Sequence, residues 1–281
     1  MLPFRQCRGV PALQSIRSYS TTSLINHKHL SASSPTPYSE AEAIQEDHRA
    51  RFLASKADPS LRVPRPLLLS FEAQPTFTLG RRQEALPQHH VDRLQRPLRT
   101  RLANRSPELD DEFQPLVTKT NRGGLTTYHG PGQLVFWPVI DMHSPLYAKF
   151  GVASYAAHLE STTRRFLRDI FGIRTYTNPD EPGVWVKTDG AERKIAALGV
   201  HHRRYVTALG TAVNIDIPVT GGEDVNPWAR FVPCGLEGKL VTSALQEGAT
   251  GQFEMEKLAR LWAERFEEGL VDPAKRVYDE A

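Results

Sequence analysis

Three short segments carry residues whose types and spacing could do chemistry. The first, Arg122-Gly123-Gly124-Leu125-Thr126-Thr127-Tyr128-His129-Gly130-Pro131-Gly132-Gln133, holds four glycines and a proline in twelve residues. Backbone without side chains can approach a ligand and aim N–H groups into a site, with Arg122 adding a fixed charge and His129 a titratable donor. The nucleotide spacings GxxxxGK[ST] and GxGxxG are both absent. On glycines alone, a structural turn fits as well as a binding loop. In the second, Glu192–Val200, Lys194 heads an apolar strand-like run. A buried amine has its pKa pushed down and can serve as a base, whereas one exposed at a strand end does no chemistry. The third, Phe231-Val232-Pro233-Cys234-Gly235-Leu236, sets a cysteine between proline and glycine. Such a thiol is either a nucleophile presented on a tight turn or a small buried hydrophobe. The other cysteine, Cys7, lies far away near the N-terminus. One thiol in the body cannot build a cysteine zinc site or a CxxC redox pair, so no metal site is expected.

In composition, order and spacing the three segments resemble the lipoyl(octanoyl) transferases, whose hallmarks are RGG-x-x-T-[YFW]-HGPGQ, a KI-x-x-[LI]G segment, and PCG followed by VTS. Here these stand as Arg122–Gln133, Lys194–Gly199, Pro233–Gly235 and Val241–Ser243. The resemblance spans about residues 67–80 and 116–245. It implies an α/β fold, with a mixed α+β sheet, of the biotin/lipoate-protein ligase catalytic-domain type. It implies transfer of octanoyl from acyl carrier protein to a lysine of a lipoyl domain, on a 2-oxoacid dehydrogenase complex or a glycine cleavage H protein. The acyl group would pass through a thioester on Cys234, with Lys194 lowering the thiol pKa and shuttling protons. Arg122, Gly123, Gly124, Leu125, Thr126, Thr127, Tyr128 and His129 match positions that line the acyl pocket, as do Ala197, Leu198, Gly199, Gly210, Thr211 and Ala212. No cofactor is implied.

The chain departs from the family pattern in three places. Leu209 stands where bacterial relatives usually have a histidine. An insertion, Pro218 to Pro227, precedes the cysteine segment. A polar stretch at about 81–115 has seven arginines between Arg81 and Arg105 and an acidic run at Glu108–Glu112. Acyl carrier proteins are acidic, so this stretch could dock the donor, or could be a plain solvated loop. Two rival readings remain: ATP-dependent lipoate ligation on the same fold, and a non-catalytic module that binds acyl-carrier or lipoyl domains.

The elements that must position these residues can be read from periodicity. Ser39-Glu40-Ala41-Glu42 reads as a capping box opening a helix to about Lys56. Leu67–Leu69, Thr76–Leu79, Leu116–Lys119 and the apolar Gln133–Ile140 read as strands, and residues 81–115 as a surface loop. Ser154–Phe171 carries a helical apolar stripe. Val184–Val186, Lys194–Val200 and Tyr205–Ile217 are β-rich, the last two joined as a hairpin near His201–Arg204, and Val241–Leu245 is a further strand. Leu258, Leu261, Trp262 and Phe266 mark a closing amphipathic helix. His89-His90 and His201-His202 are expected on the surface, and the four tryptophans in the core. One catalytic domain over about 39–275 is expected.

Composition narrows the partners. The 281 residues carry a net charge of +3. Residues 1–39 hold Arg5, Arg8, Arg17 and Lys28 and no acidic residue, so the other 31 basic residues nearly cancel the 32 acidic ones. The body therefore gives no global electrostatic case for nucleic acid, and no apolar run is long enough for a membrane-spanning helix. The acid-free N-terminus, with Arg17-Ser18-Tyr19-Ser20 resembling a processing site, reads as a transit peptide over about residues 1–22, addressing the mitochondrial matrix.

Overall fold

The computed structural model describes residues 23–31, 34–100, 111–231 and 240–277. The expected transit segment and Cys234 lie outside the described residues. In chain order the elements begin with β1 (Asn26–His29), α1 (Tyr38–Ala57), β2 (Leu67–Phe71) and β3 (Thr76–Leu79). There follow α2 (Gln88–Leu94), β4 (Leu98–Thr100), β5 (Asp111–Phe113), β6 (Leu116–Lys119), β7 (Thr126–His129) and β8 (Gln133–Val139). The chain then forms α3 (Val152–Phe171), β9 (Tyr176–Asn178), β10 (Glu181–Thr188), β11 (Ala191–Arg203), β12 (Val206–Asn214), β13 (Leu240–Val241) and α4 (Met255–Val271).

The main sheet runs β1-β2-β8-β12-β11-β10-β9, with β13 added beside β11. It is antiparallel except for the β1–β2 and β11–β13 pairs. Strand β8 is apolar from Leu134 to Val139 because both faces of the sheet are covered. Leu134 and Phe136 face the helices α3 and α4, where Phe136 stacks on Trp262 at 4.1 Å. Val135, Trp137 and Val139 face the other layer, built on α1 with Tyr38, Ala41 and Phe52. A second sheet, β6-β3-β7, carries the glycine-rich segment and encloses a third cluster around Phe77, Tyr128 and Ile217.

Several sequence expectations change on contact with the fold. The sheet takes in Asn26–His29, so the folded unit starts upstream of residue 39. The capping box does not form: α1 starts at Tyr38 behind Pro37, with no side-chain cap. Tertiary contacts set that start. Thr36 is tied by backbone hydrogen bonds to Glu72 and Gln74, and Tyr38 is buried at the sheet. The extended piece at Val241–Leu245 shrinks to Leu240–Val241. Beyond it the chain bends so that Thr242 N–H reaches Lys194 O, and Ala244 N–H reaches Asn214 O. The hairpin is closed by Arg204 and Tyr205, both at positive φ (50° and 67°), the two-residue turn that matches strand twist.

The polar stretch is not a bare surface loop. It contributes α2, β4 and β5, and buries Leu94 and Leu98 in the third cluster. Its arginines meet the acidic turn of the other insertion. Arg93 pairs with Glu223 at 2.5 Å, Arg96 reaches Glu223 at 3.5 Å, and Arg99 pairs with Asp224. Arg230 is 2% exposed and donates to the carbonyls of Leu94, Arg96, Pro97 and Glu223 at 2.6–2.9 Å. The two departures from the family pattern are thus one clasped unit.

Candidate functional site

A slot opens between the start of α1 and strands β7, β8, β11 and β12, with about 420 Å³ of free space including its mouth. Its position follows from two glycines. Gly199 on β11 and Gly210 on β12 are directly paired across the strands, so neither fills the space above the sheet. Gly210 also lets β8 approach, since a Cβ there would stand 2.2 Å from Phe136 O. Over Gly199 lies the stem of Arg122, whose Cδ would be 3.0 Å from an added Cβ. The Arg122 guanidinium is anchored: Nη2 donates to Thr78 O at 2.6 Å and to its hydroxyl at 2.9 Å, and Nη1 to Gly123 O. A buried fixed cation therefore faces one wall.

His129, at the end of β7, also lines the slot. Its ring stacks on Tyr38 at 5.8 Å, and Tyr38 packs edge-on to Trp137 at 5.1 Å. Burial lowers the His129 pKa to about 4, with the hydrogen bond to Gln133 opposing and Arg122 adding to the fall. Burial raises the Tyr38 pKa. At neutral pH both rings are uncharged.

Of the positions that the resemblance implied, Arg122, Thr127, His129, Ala197, Leu198, Gly199, Gly210, Thr211 and Ala212 line the slot. Gly123, Gly124, Leu125, Thr126 and Tyr128 do not. Alternation along β7 turns Thr127 and His129 one way and Thr126 and Tyr128 the other. Thr126 bonds Gln83, and Tyr128 packs on Phe77 and Trp228. Gly123, Gly124 and Leu125 form the turn held against Gly80, where a Cβ would meet Gly124 O at 2.4 Å. Four lining residues were outside the expectation. Tyr38 and Val135 gave no local signal, and Trp137 read as core alone. Leu209 read as a missing donor. Leu209 in fact sits at φ 62°, with its N–H bonded to Gln45 Oε1 of α1 at 2.5 Å, and joins Ala208 on the α1 side of the sheet.

Lys194 does not line the slot. It lies three residues back along β11, where Ile195 is skipped by the pairing with β10 (Val184 with Ala196, Trp185 with Lys194). It is 9% exposed, Nζ donates to Pro182 O at 3.2 Å, and the ammonium lies 4.6 Å from the Trp185 ring centroid. An aromatic face attracts such a cation. Gly183 makes the room: a Cβ there would be 3.4 Å from Lys194 Cε. The carboxylate of Glu160 on α3 accepts from Gly183 N–H at 2.8 Å. Its pKa is raised by burial, with Lys194 among the groups opposing. Val241 pairs with Lys194, so the chain rejoins the sheet there.

Among the described residues no cluster of three or more His, Cys, Asp or Glu could hold a metal, and no helix is long and apolar enough to cross a membrane. His89 and His202 are exposed.

Comparison with known proteins places this architecture. Residues 52–267 match the lipoyl protein ligase A/B catalytic domain. A bi-partite lipoate protein ligase from Thermoplasma acidophilum, described with its E2 lipoyl domain, superposes with TM-score 0.50 and 13% identity, covering 84% of this chain and 82% of that one. The fold is therefore that of the lipoate-protein ligase catalytic domains. The mitochondrial octanoyl-[acyl-carrier-protein]:protein N-octanoyltransferase of Danio rerio is 37% identical over 210 residues, 75% of this chain and 78% of the relative. The octanoyltransferase of Rickettsia felis is 42% identical over 133 residues, 47% of this chain and 60% of the relative. The chain belongs to the lipoyl protein ligase A/B catalytic-domain family, and within it to the octanoyltransferases, acyltransferases of protein lipoylation.

Proposed function

We propose that this chain takes octanoyl from acyl carrier protein onto Cys234 as a thioester and passes it to the ε-amino group of a lipoyl-domain lysine. In the first step the Cys234 thiolate attacks the donor thioester and the carrier thiolate leaves, one C–S bond replacing another. In the second, the neutral amine attacks the acyl-enzyme, the C–S bond breaks, and the amine's extra proton is taken up as the enzyme thiol reforms. Lys194 is assigned the proton handling and the lowering of the thiol pKa. The single observation that carries the reading is the pairing of Leu240–Val241 with Arg193–Lys194. The chain leaving the cysteine segment returns to the sheet beside the one buried lysine of its motif. The glycine-floored slot on the same strand, whose apolar lining includes Val135, Trp137, Leu198 and Leu209, is assigned to the acyl tail.

The name of the Danio rerio relative specifies an acyl-carrier donor and a mitochondrial protein. That supports a carrier donor here, and a matrix address carried by residues 1–22. The acceptor class is a lipoyl domain of a 2-oxoacid dehydrogenase complex or the glycine cleavage H protein. The test is intact mass spectrometry after incubation with octanoyl-acyl carrier protein, without ATP, for wild type and Cys234→Ser. An octanoyl adduct on wild type alone, discharged by a lipoyl domain, is the expected result. Transfer that needs ATP and survives Cys234→Ser would replace this reading with lipoate ligation.

A further inference from the structure

Behind the slot wall runs a chain of buried side chains whose hydrogen-bond polarity can be read without ambiguity. Gln133, on β8, is 1% exposed, and Asn214, at the end of β12, is 3% exposed. Asn214 Nδ2 donates to Thr242 O at 2.9 Å, and Gln133 Nε2 donates to Asn214 Oδ1 at 2.9 Å and to Tyr128 O at 3.3 Å. Gln133 Oε1 lies 2.7 Å from His129 Nδ1. Both ends of this chain rest on backbone carbonyls, which only accept. A flip of Asn214 would set its oxygen against Thr242 O, and a flip of Gln133 would set its oxygen against Tyr128 O. The amide orientations are thereby fixed. Gln133 must present its oxygen to the imidazole, and the proton must sit on Nδ1.

We propose that Gln133 and Asn214 are positioning residues that lock His129 as the Nδ1–H tautomer, so that its Nε2 lone pair serves the slot as a hydrogen-bond acceptor for a substrate N–H. His129 lines the slot, and with Nδ1 turned back to Gln133 the ring's other nitrogen is left for it. Nε2 is not one of the sealed, unpartnered nitrogens of the core, as His158 Nδ1 is. The depressed His129 pKa keeps the lone pair available through the neutral range.

The polarity selects the partner. An octanoyl chain and its thioester carbonyl offer no hydrogen to an acceptor. Resting on the proposed octanoyl transfer, two sources remain: the amine of the acceptor lysine, and an amide N–H on the carrier's thiol arm. Both are N–H donors, and separate measurement of the two half-reactions tells them apart.

The first experiment needs no variant and no substrate. Nitrogen-15 NMR of the histidine-labelled protein between pH 6 and 8 should show His129 as the neutral Nδ1–H tautomer. An Nε2–H signal would overturn the proposal whether or not octanoyl transfer occurs. The second uses Gln133→Met, checked for folding by circular dichroism. The His129 signal should become a tautomer mixture, and one half-reaction should slow about tenfold with the other within twofold of wild type. Slower loading from octanoyl-acyl carrier protein assigns the N–H to the carrier arm; slower discharge to a lipoyl domain assigns it to the lysine amine. An unchanged tautomer, or both half-reactions within twofold, refutes the positioning role.

Discussion

The least solvated titratable group among the described residues whose pKa shift is resolved, His158, makes a sharp prediction about acid stability. It lies on α3, 0% exposed, between the rings of Phe150 at 5.5 Å and Phe266 at 4.7 Å. Nε2 donates to Phe266 O at 3.1 Å, which leaves Nδ1 unprotonated, sealed and without a partner. Protonation would bury a charge near Arg276 and Arg165. Burial first, then those cations, lowers the pKa from 6.5 to about 3. The folded state thus holds the neutral ring while the unfolded chain binds a proton below its ordinary value. Stability is fully present above pH 6.5 and is lost as the pH falls toward 3. At pH 5, one and a half units below the unfolded value, the loss from this one residue is about 2 kcal/mol. Urea unfolding of wild type and His158→Leu at pH 7 and pH 5 measures it. The variant lacks the titration, so its loss between the two pH values should be smaller by about 2 kcal/mol. His27 and His129 titrate in both proteins and cancel in the difference. Equal losses in wild type and variant would refute the reasoning, whatever the absolute stabilities.

Three further predictions concern the site and the unit clasped beside it. Gly210→Ala should destabilise by about 1–3 kcal/mol and slow octanoyl transfer, because a Cβ 2.2 Å from Phe136 O must push β12 from β8 under the slot; thermal unfolding and initial rates check both. Arg230→Met should cost about 3 kcal/mol in denaturant unfolding, since it strips donors from four carbonyls in a site 2% exposed. By contrast, a double-mutant cycle of Arg93→Ala and Glu223→Ala should give a coupling of at most about 1 kcal/mol, reduced further at high salt, because both partners are partly solvated.

Much of the site was legible because its signals are local in sequence. The glycine-rich segment named Arg122 and His129, and the family resemblance named Gly199 and Gly210, before the structure paired the two glycines. The run Gln133–Ile140 read as a strand because a sheet covered on both faces demands apolar side chains on both, as Leu134 to Val139 supply. The failures share a different cause. Tyr38 and His129 are far apart in sequence, and only the docking of α1 on the sheet stacks their rings. The capping box lost because backbone hydrogen bonds from Thr36 to the 72–74 segment fixed where the helix could start.

The arginine-rich stretch shows the same division. Its composition advertised an electropositive surface, yet Arg93, Arg96 and Arg99 meet Glu223 and Asp224 from a segment more than a hundred residues later. Composition counts charges but does not pair them.

The sequence by itself determined the fold class and the family, because hydrophobic period, glycine placement and motif spacing are properties of contiguous chain. Tertiary structure alone decided which face of β7 meets the slot and how Leu209 is turned. It also decided that the amides of Gln133 and Asn214 point one way between two carbonyls. Those outcomes depend on sterics and hydrogen-bond partners brought from distant segments, and no local pattern of residue types encodes them.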